Sequence, residues 1–292
     1  MGTLVTIDVV RSGTQADAAV DRAFGWFHEI ETRCTRFNPT SELMQLTAQP
    51  GVPVQASAIL YEAVKFALLV AEESGGAFDP AVGHRMEARG FNRDHRTGSV
   101  IETGIQTGIT PAGDVSYRDI DLDPGERTIT LLRPLILDLG AVAKGLAVDT
   151  AAHELEPFRD FAIDAGGDLY MGGFNPQGTA WSVGIRHPRR DRELIDSLRV
   201  SNQAVCTSGD YERPDHLLDP RIVDPRTGTT CHSVASATVV AASAMLADAL
   251  ATAAFVLGPA EGIAFLNRMG VEGLILTPEL ERFETRGLRR AA

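Results

Sequence analysis

The chain has 292 residues, 44% hydrophobic and 23% charged, a composition ordinary for a globular protein with a sizeable core in one large domain or two interleaved ones. A formal charge of -12 without any long Lys/Arg run argues against nucleic acid held by phosphate contacts. Cys34, Cys206 and Cys231 are too few and scattered for a disulfide framework or a CxxC zinc site, no HExxH occurs, and no apolar run reaches the roughly 18 residues of a membrane span.

In chain order, Thr3 to Val10 alternates like a strand, with no secretion signal ahead of it. The expected location is therefore cytoplasmic as the chain stands, or periplasmic if its N-terminus has been trimmed. Ala16 to Thr32 carries Val20, Ala23, Trp26, Phe27 and Ile30 at helical spacing, and Ala56 to Ser74 repeats the pattern with Leu60, Val64, Ala67 and Val70. Between them Arg36 to Leu43 reads as a turn into a capped segment, with Ser41 as N-cap. From about Gly83 to Ser116 the chain is polar and reads as a long loop or inserted segment. Strands are expected at Arg127 to Leu132 and Leu135 to Leu137, then a helix from about Ala141 to Leu155. Shorter strands follow at Phe161 to Asp164, Trp181 to Ile185, Ala204 to Thr207, Ala235 to Val240 and Gly273 to Leu276. Strands in clusters with helices set between them indicate an α+β fold rather than a regular βαβ array.

Four segments hold candidate chemistry. In Asp138 to Asp149 a strand ends at Gly140 and a helix begins, offering free N-H groups to an anion, and a cation such as Lys144 in that first turn is easier to explain if an anion binds there. An ordinary surface lysine is the alternative. No GxGxxG follows a strand and no P-loop is present. Glycines in Asp164 to Asp168, Thr207 to Asp210 and Asp224 to Gly228 signal turns first, and small backbone-exposing loops for a large ligand second. His216-Leu-Leu-Asp-Pro-Arg221 is followed at once by Ile222-Val-Asp-Pro-Arg226, so His216 is either a general base or a plain loop histidine. Ser243 to Leu257 reads as an apolar helix with Asp248 and, four residues on, Thr252 on one face. Ser243 is the better N-cap, so an acid at Asp248 asks for an ionic partner or a metal.

Asp138-Leu-Gly-Ala-Val-Ala-Lys-Gly-Leu-Ala-Val-Asp149, Gly75-Gly-Ala-Phe-Asp79, Gly166-Gly-Asp168, Thr207-Ser-Gly-Asp-Tyr211, His216-Leu-Leu-Asp-Pro-Arg221 and Ala244-Met-Leu-Ala-Asp-Ala-Leu-Ala-Thr252 resemble motifs of the ApbE family, FAD:protein FMN transferases. The resemblance runs over almost the whole chain. It implies a single ApbE-like domain over 1–292, with mixed and antiparallel sheets, flanking helices and an FAD cleft between sub-domains.

The implied reaction moves the FMN of FAD onto a Thr/Ser hydroxyl of a target flavoprotein as a phosphoester, with AMP leaving. The implied cofactor is Mg²⁺ on Asp248, Thr252 and the carbonyl of Ala141. FAD contacts are implied at Met1, Phe37, Ala77, Phe78, Asp79, Asp138 and Lys144, with His216 activating the incoming hydroxyl. The implied partner is an acceptor flavoprotein bearing a Ser/Thr-Gly-Ala-Ser/Thr motif. The sequence departs from the family where five residues, Ile222 to Arg226, intervene before Thr227-Gly228, so either His216 to Asp219 or Arg221 to Asp224 occupies the active position. An FAD pyrophosphatase giving FMN and AMP, or a non-catalytic FAD-binding protein, are the competing functions.

Overall fold

Caps and apolar spacing decide where the helices of this chain begin. A computed structural model describes the chain except Met1, Ser12 and residues 93–97, 99, 102, 104–107, 109–112, 211–221, 289 and 291–292. The chain divides into two units, one comprising Met1–Gly2 and His28–Ala143, the other Thr3–Phe27 and Lys144–Ala292.

The strand expected at the N-terminus is β1 (Val5–Val9), and the first expected helix is α1 (Thr14–Cys34). In the first unit Ser41 is the N-cap of α2 (Glu42–Thr47), its hydroxyl accepting from Met44 N at 3.1 Å. Ser57 does the same for α3 (Ala58–Glu73), with Leu60 N at 3.2 Å. Each cap satisfies one of the orphan amides that every helix start exposes. Leu60, Val64, Ala67 and Val70 form the buried stripe of α3, as their spacing predicts. α3 ends on the paired left-handed glycines Gly75 and Gly76, whose N-H groups return to the Glu72 and Ala71 carbonyls.

β2 (Val54–Gln55), β3 (Ile120–Asp123) and β4 (Thr128–Leu131) make a small antiparallel sheet in the order β2-β4-β3. The stretch expected as loop from 83 to 116 opens instead as a helix, α4 (Gly83–Ala88), entered through a short 3-10 turn at Pro80–Val82. Leu135 to Leu137, expected as a strand, is fully buried but belongs to no sheet. Its backbone is taken up by that turn: Gly83 N donates to the Ile136 carbonyl at 3.0 Å and Asp138 N to the Pro80 carbonyl at 2.8 Å. Buried backbone must be paired, and here the 80–83 turn supplies the partners that a neighbouring strand would otherwise provide.

The second unit is built on a seven-stranded, wholly antiparallel sheet. Its strands are β1, β5 (Phe161–Ala165), β6 (Asp168–Gly172), β9 (Gln203–Gly209), β10 (Ser236–Ala241), β11 (Glu272–Leu276) and β12 (Arg282–Glu284), in that spatial order. A hairpin of β7 (Trp181–Arg186) and β8 (Leu194–Val200) covers one face, packing Val183, Ile185, Leu198 and Val200 against Met171, Val205, Val240, Leu274 and Leu276. The described residues also form α5 (Gly140–Leu155), α6 (Ala244–Leu257) and α7 (Pro259–Arg268); divisions between the units fall within α1 and within α5. α6 packs on β9 and β10. β10 is buried at every position because both of its faces are covered, so its two hydroxyl residues, Ser236 and Thr238, are buried along with its Ala and Val. Ser243 caps α6, as expected. Of the three glycine turns, Gly166-Gly167 and Gly228 adopt positive φ, whereas Gly209 is the last residue of β9, paired with Ser236.

A side chain at Gly83 would place its Cβ 2.5 Å from the Ile136 carbonyl oxygen, so α4 can lie on the 135–137 segment only without one. Gly83→Ala is expected to lower unfolding stability by about 1–3 kcal/mol, the usual penalty for overpacking, with the denaturant slope unchanged in a urea titration.

Candidate functional site

Three charged side chains of the second unit converge on the helix-covered face of the large sheet. α5 brings Lys144, β6 opens on Asp168, and α6 presents Asp248 one turn beyond its first residue. Lys144 Nζ contacts Asp168 Oδ2 and lies 3.5 Å from Asp248 Oδ2. Both carboxylates are buried, at 2% and 6% exposure, so each requires charge compensation. Burial alone lowers the pKa of an ammonium, but here the Asp248 and Asp168 charges outweigh it and hold Lys144 above its ordinary value. One cation facing two anions leaves a net negative charge, and the helix expected to need a partner for Asp248 finds it in Lys144.

Around this cluster lie further polar groups. Thr252, one turn past Asp248, is half-buried, with its hydroxyl 3.0 Å from that of Ser208 on β9. Cys206, also on β9, points its thiol at the Ala244 carbonyl at 3.6 Å. Burial first, and the charges of Asp168 and Asp248 second, push that thiol well above its ordinary range, so it stays protonated. Asp168 was not among the candidate site residues read from the sequence. Only the Gly166-Gly-Asp168 motif hinted at it, since a carboxylate opening a strand after a glycine turn is normally solvated.

α5 and α6 meet backbone to backbone at this point. A Cβ on Gly145 would stand 2.4 Å from Met245 Cα and 2.5 Å from Met245 N. One turn along α5, the Asp149 carboxylate accepts Ala244 N at 2.6 Å and Met245 N at 2.9 Å. Burial pushes Asp149 up to about 6 against these hydrogen bonds.

The first unit holds a second set of candidates. Ala77, Phe78 and Asp79 follow the glycine pair that ends α3 and are all buried, while Phe37 is half-buried with the Arg36 guanidinium 4.3 Å above its ring. Asp79 caps the 80–82 turn through Ala81 N at 2.8 Å and also accepts Tyr117 N at 3.0 Å. Asp138 accepts Gly140 N at 2.8 Å and the buried Arg36 Nε at 2.8 Å. Arg36 itself, 4% exposed, is shared with Glu87 at 3.5 Å. Arg36 and Glu87 escaped the sequence reading, because nothing local marks an arginine that will be buried by residues far along the chain. Ala141, with φ -90° and ψ 15°, is the one residue of α5 outside helical geometry, which turns its carbonyl from the direction the rest of the helix imposes.

Met1 and His216 lie outside the described residues, as does the first Asp-Pro-Arg at 219–221. The second is described, and is closed on itself: Asp224 accepts the Arg226 backbone N-H at 2.9 Å and its guanidinium at 2.9 and 2.8 Å.

A family model described as "ApbE family" matches residues 1–275. The FAD:protein FMN transferase of Treponema pallidum is 32% identical over 96% of this chain and 83% of its own length, and that of Vibrio cholerae is 28% identical over 97% and 87%. Among solved structures, the ApbE protein of Thermotoga maritima superposes with a TM-score of 0.85 at 28% identity, over 99% of this chain and 97% of that one. The flavin transferase ApbE from Vibrio cholerae does so with a TM-score of 0.80 at 25% identity, over 98% and 94%. The expected α+β class, with mixed helices and antiparallel sheets, is thus the observed fold.

Lys144→Met leaves Asp168 and Asp248 facing each other without a cation. We expect a stability loss of about 3–5 kcal/mol, as for other broken buried pairs. Urea titrations of parent and variant read this, and a loss below about 1 kcal/mol would show that the ammonium does not neutralise the pair. For Asp79, burial pushes the carboxyl up to about 6, above its unfolded value, so its stabilising contribution is full below the ordinary carboxylate range and is lost as the pH rises through about 6. Asp79→Asn is expected to flatten that decline between about pH 4 and about pH 6, measured as the slope of unfolding free energy against pH.

Proposed function

This chain belongs to the ApbE family, and from that premise we propose that it transfers the FMN moiety of FAD to a Thr or Ser hydroxyl of an acceptor flavoprotein, with Mg²⁺ as cofactor. The observation that carries the reading is the cluster of Lys144, Asp168, Asp248 and Thr252, an oxygen-rich, net negative site on rigid elements within a chain of net charge -12. An anionic dinucleotide needs local positive charge to enter such a protein.

The donors suit magnesium. Asp248 and Thr252 offer hard oxygens, and Ala141, outside helical geometry, offers its backbone carbonyl. Magnesium draws one or two carboxylates from a protein and leaves its other positions to substrate phosphates and water. When bound, Mg²⁺ neutralises charge on the pyrophosphate and orients it for displacement.

The chain's own residues supply the rest. Phe37, Ala77, Phe78, Asp79, Asp138, Lys144 and Met1 contact FAD, Phe37 offering its ring face for stacking. The acceptor hydroxyl oxygen bonds to the FMN phosphorus, the bond from that phosphorus to the bridging oxygen breaks, AMP leaves with the bridging oxygen, and the hydroxyl proton passes to His216. Lys144 places a positive charge where negative charge develops on the phosphates.

Purified protein given FAD, Mg²⁺ and an acceptor domain with a Ser/Thr-Gly-Ala-Ser/Thr motif is expected to yield covalent flavin, seen as a mass increase of the acceptor and abolished by chelation. His216→Ala is expected to lower the transfer rate by about 100-fold or more, the usual worth of a general base. Asp248→Ala is expected to lower transfer strongly with little change in Tm, because Lys144 keeps Asp168 as its counter-ion. Release of FMN and AMP at the same rate without acceptor would replace this reading by a pyrophosphatase, and tight FAD binding with no turnover would replace it by a binding protein.

A further inference from the structure

We infer that Asp149 is a positioning residue for the magnesium ligands on α6, acting through the backbone amides at the start of that helix; the inference rests on the proposed metal site. Asp248 and Thr252 project from α6 one and two turns beyond Ala244, so their placement depends on where the first turn of α6 is held. Three contacts among the described residues bear on it. From the sheet side, Cys206 donates to the Ala244 carbonyl. From the α5 side, Gly145 lies against the Met245 backbone so closely that no Cβ fits. The third is the Asp149 carboxylate, which takes the Ala244 and Met245 amides on its two separate oxygens, at 2.6 and 2.9 Å.

α6 already has its N-cap. Ser243 accepts Leu246 N at 3.3 Å, so Asp149 is not needed merely to start the helix. What Asp149 adds is a link to another helix, and to a particular point on it. Lys144, Gly145 and Asp149 lie on neighbouring turns of α5. The helix that presents the ammonium to Asp248 is thereby also the helix that fixes the height of α6. The bidentate grip requires an ionised carboxylate: an amide in its place accepts one N-H and turns its own donor toward the other. A carboxylate is also favoured by the positive end of the α6 dipole. Asp149 touches neither metal nor substrate, and its part is to keep Asp248 and Thr252 at the separation from Lys144 that the site needs.

The test uses Mn²⁺ alone as the probe, titrated into the full chain and followed by the electron paramagnetic resonance of the free ion, at a temperature where circular dichroism shows every variant folded. Asp149→Asn is expected to weaken Mn²⁺ binding by about 10-fold or more, the usual effect of removing an outer-shell partner. Gly145→Ala keeps the carboxylate but forces α5 and α6 apart, and is expected to weaken binding in the same direction; it also stands in should Asp149→Asn fail to fold. A purely structural role for Asp149 would lower Tm and leave the affinity of the folded protein within about twofold of the parent, and that result in either variant overturns the inference. Absence of Mn²⁺ binding by the parent chain overturns the metal site itself, and the inference with it.

Discussion

A buried lysine facing two buried carboxylates is the constraint to which the rest of the second unit conforms. Lys144, Asp168 and Asp248 come from a helix, a strand start and a second helix, so each element must hold its register for the charges to compensate one another. Removing any one partner leaves an uncompensated charge or an altered balance in a place water hardly reaches. The surrounding features follow from this: glycine at the α5–α6 crossing, small residues along α6, and polar but uncharged Ser208 and Thr252 beside the acids. A site of this kind gains little stability from its ion pairs. What it supplies is a fixed arrangement of charge that needs no reorganisation when a charged group approaches.

Much of the fold was legible in the sequence because local rules were obeyed. Ser41 and Ser243 cap the helices that follow them, the stripe on α3 is the buried one, and the strand expected at Ala235 to Val240 is β10, buried along its whole length. The misreadings occur where tertiary packing replaces local signals. Leu135 to Leu137 has a strand's composition, yet the Ile136 carbonyl and the Asp138 amide that follows it pair with the 80–83 turn. Gly83 to Ala88 looks like loop because its helix is short and begins on a glycine whose reason lies in Ile136.

The candidate site shows the same division. Asp248 stood out because an acid in an apolar helix contradicts its surroundings, and that contradiction is readable residue by residue. Asp168 and Asp149 did not, since each lies where an acid is unremarkable, after a glycine turn or at a polar position of an ordinary helix. The ion pair between Arg36 and Asp138 joins residues 102 apart in sequence, and neither residue carries any mark of the other. Recognition by motif reached further than periodicity here, because a family pattern records the outcome of packing that no local rule contains.

The thiol of Cys206 sits among these acids with its proton held firmly in place. In that state it is a poor nucleophile, a poor target for oxidants and a poor ligand for soft metals. A cysteine held this way, buried among acids, neither demands a reducing compartment to stay a thiol nor offers a thiolate to an oxidant. In a family of flavin transferases, whose cargo is redox-active, a thiol kept in this state takes no part in electron transfer.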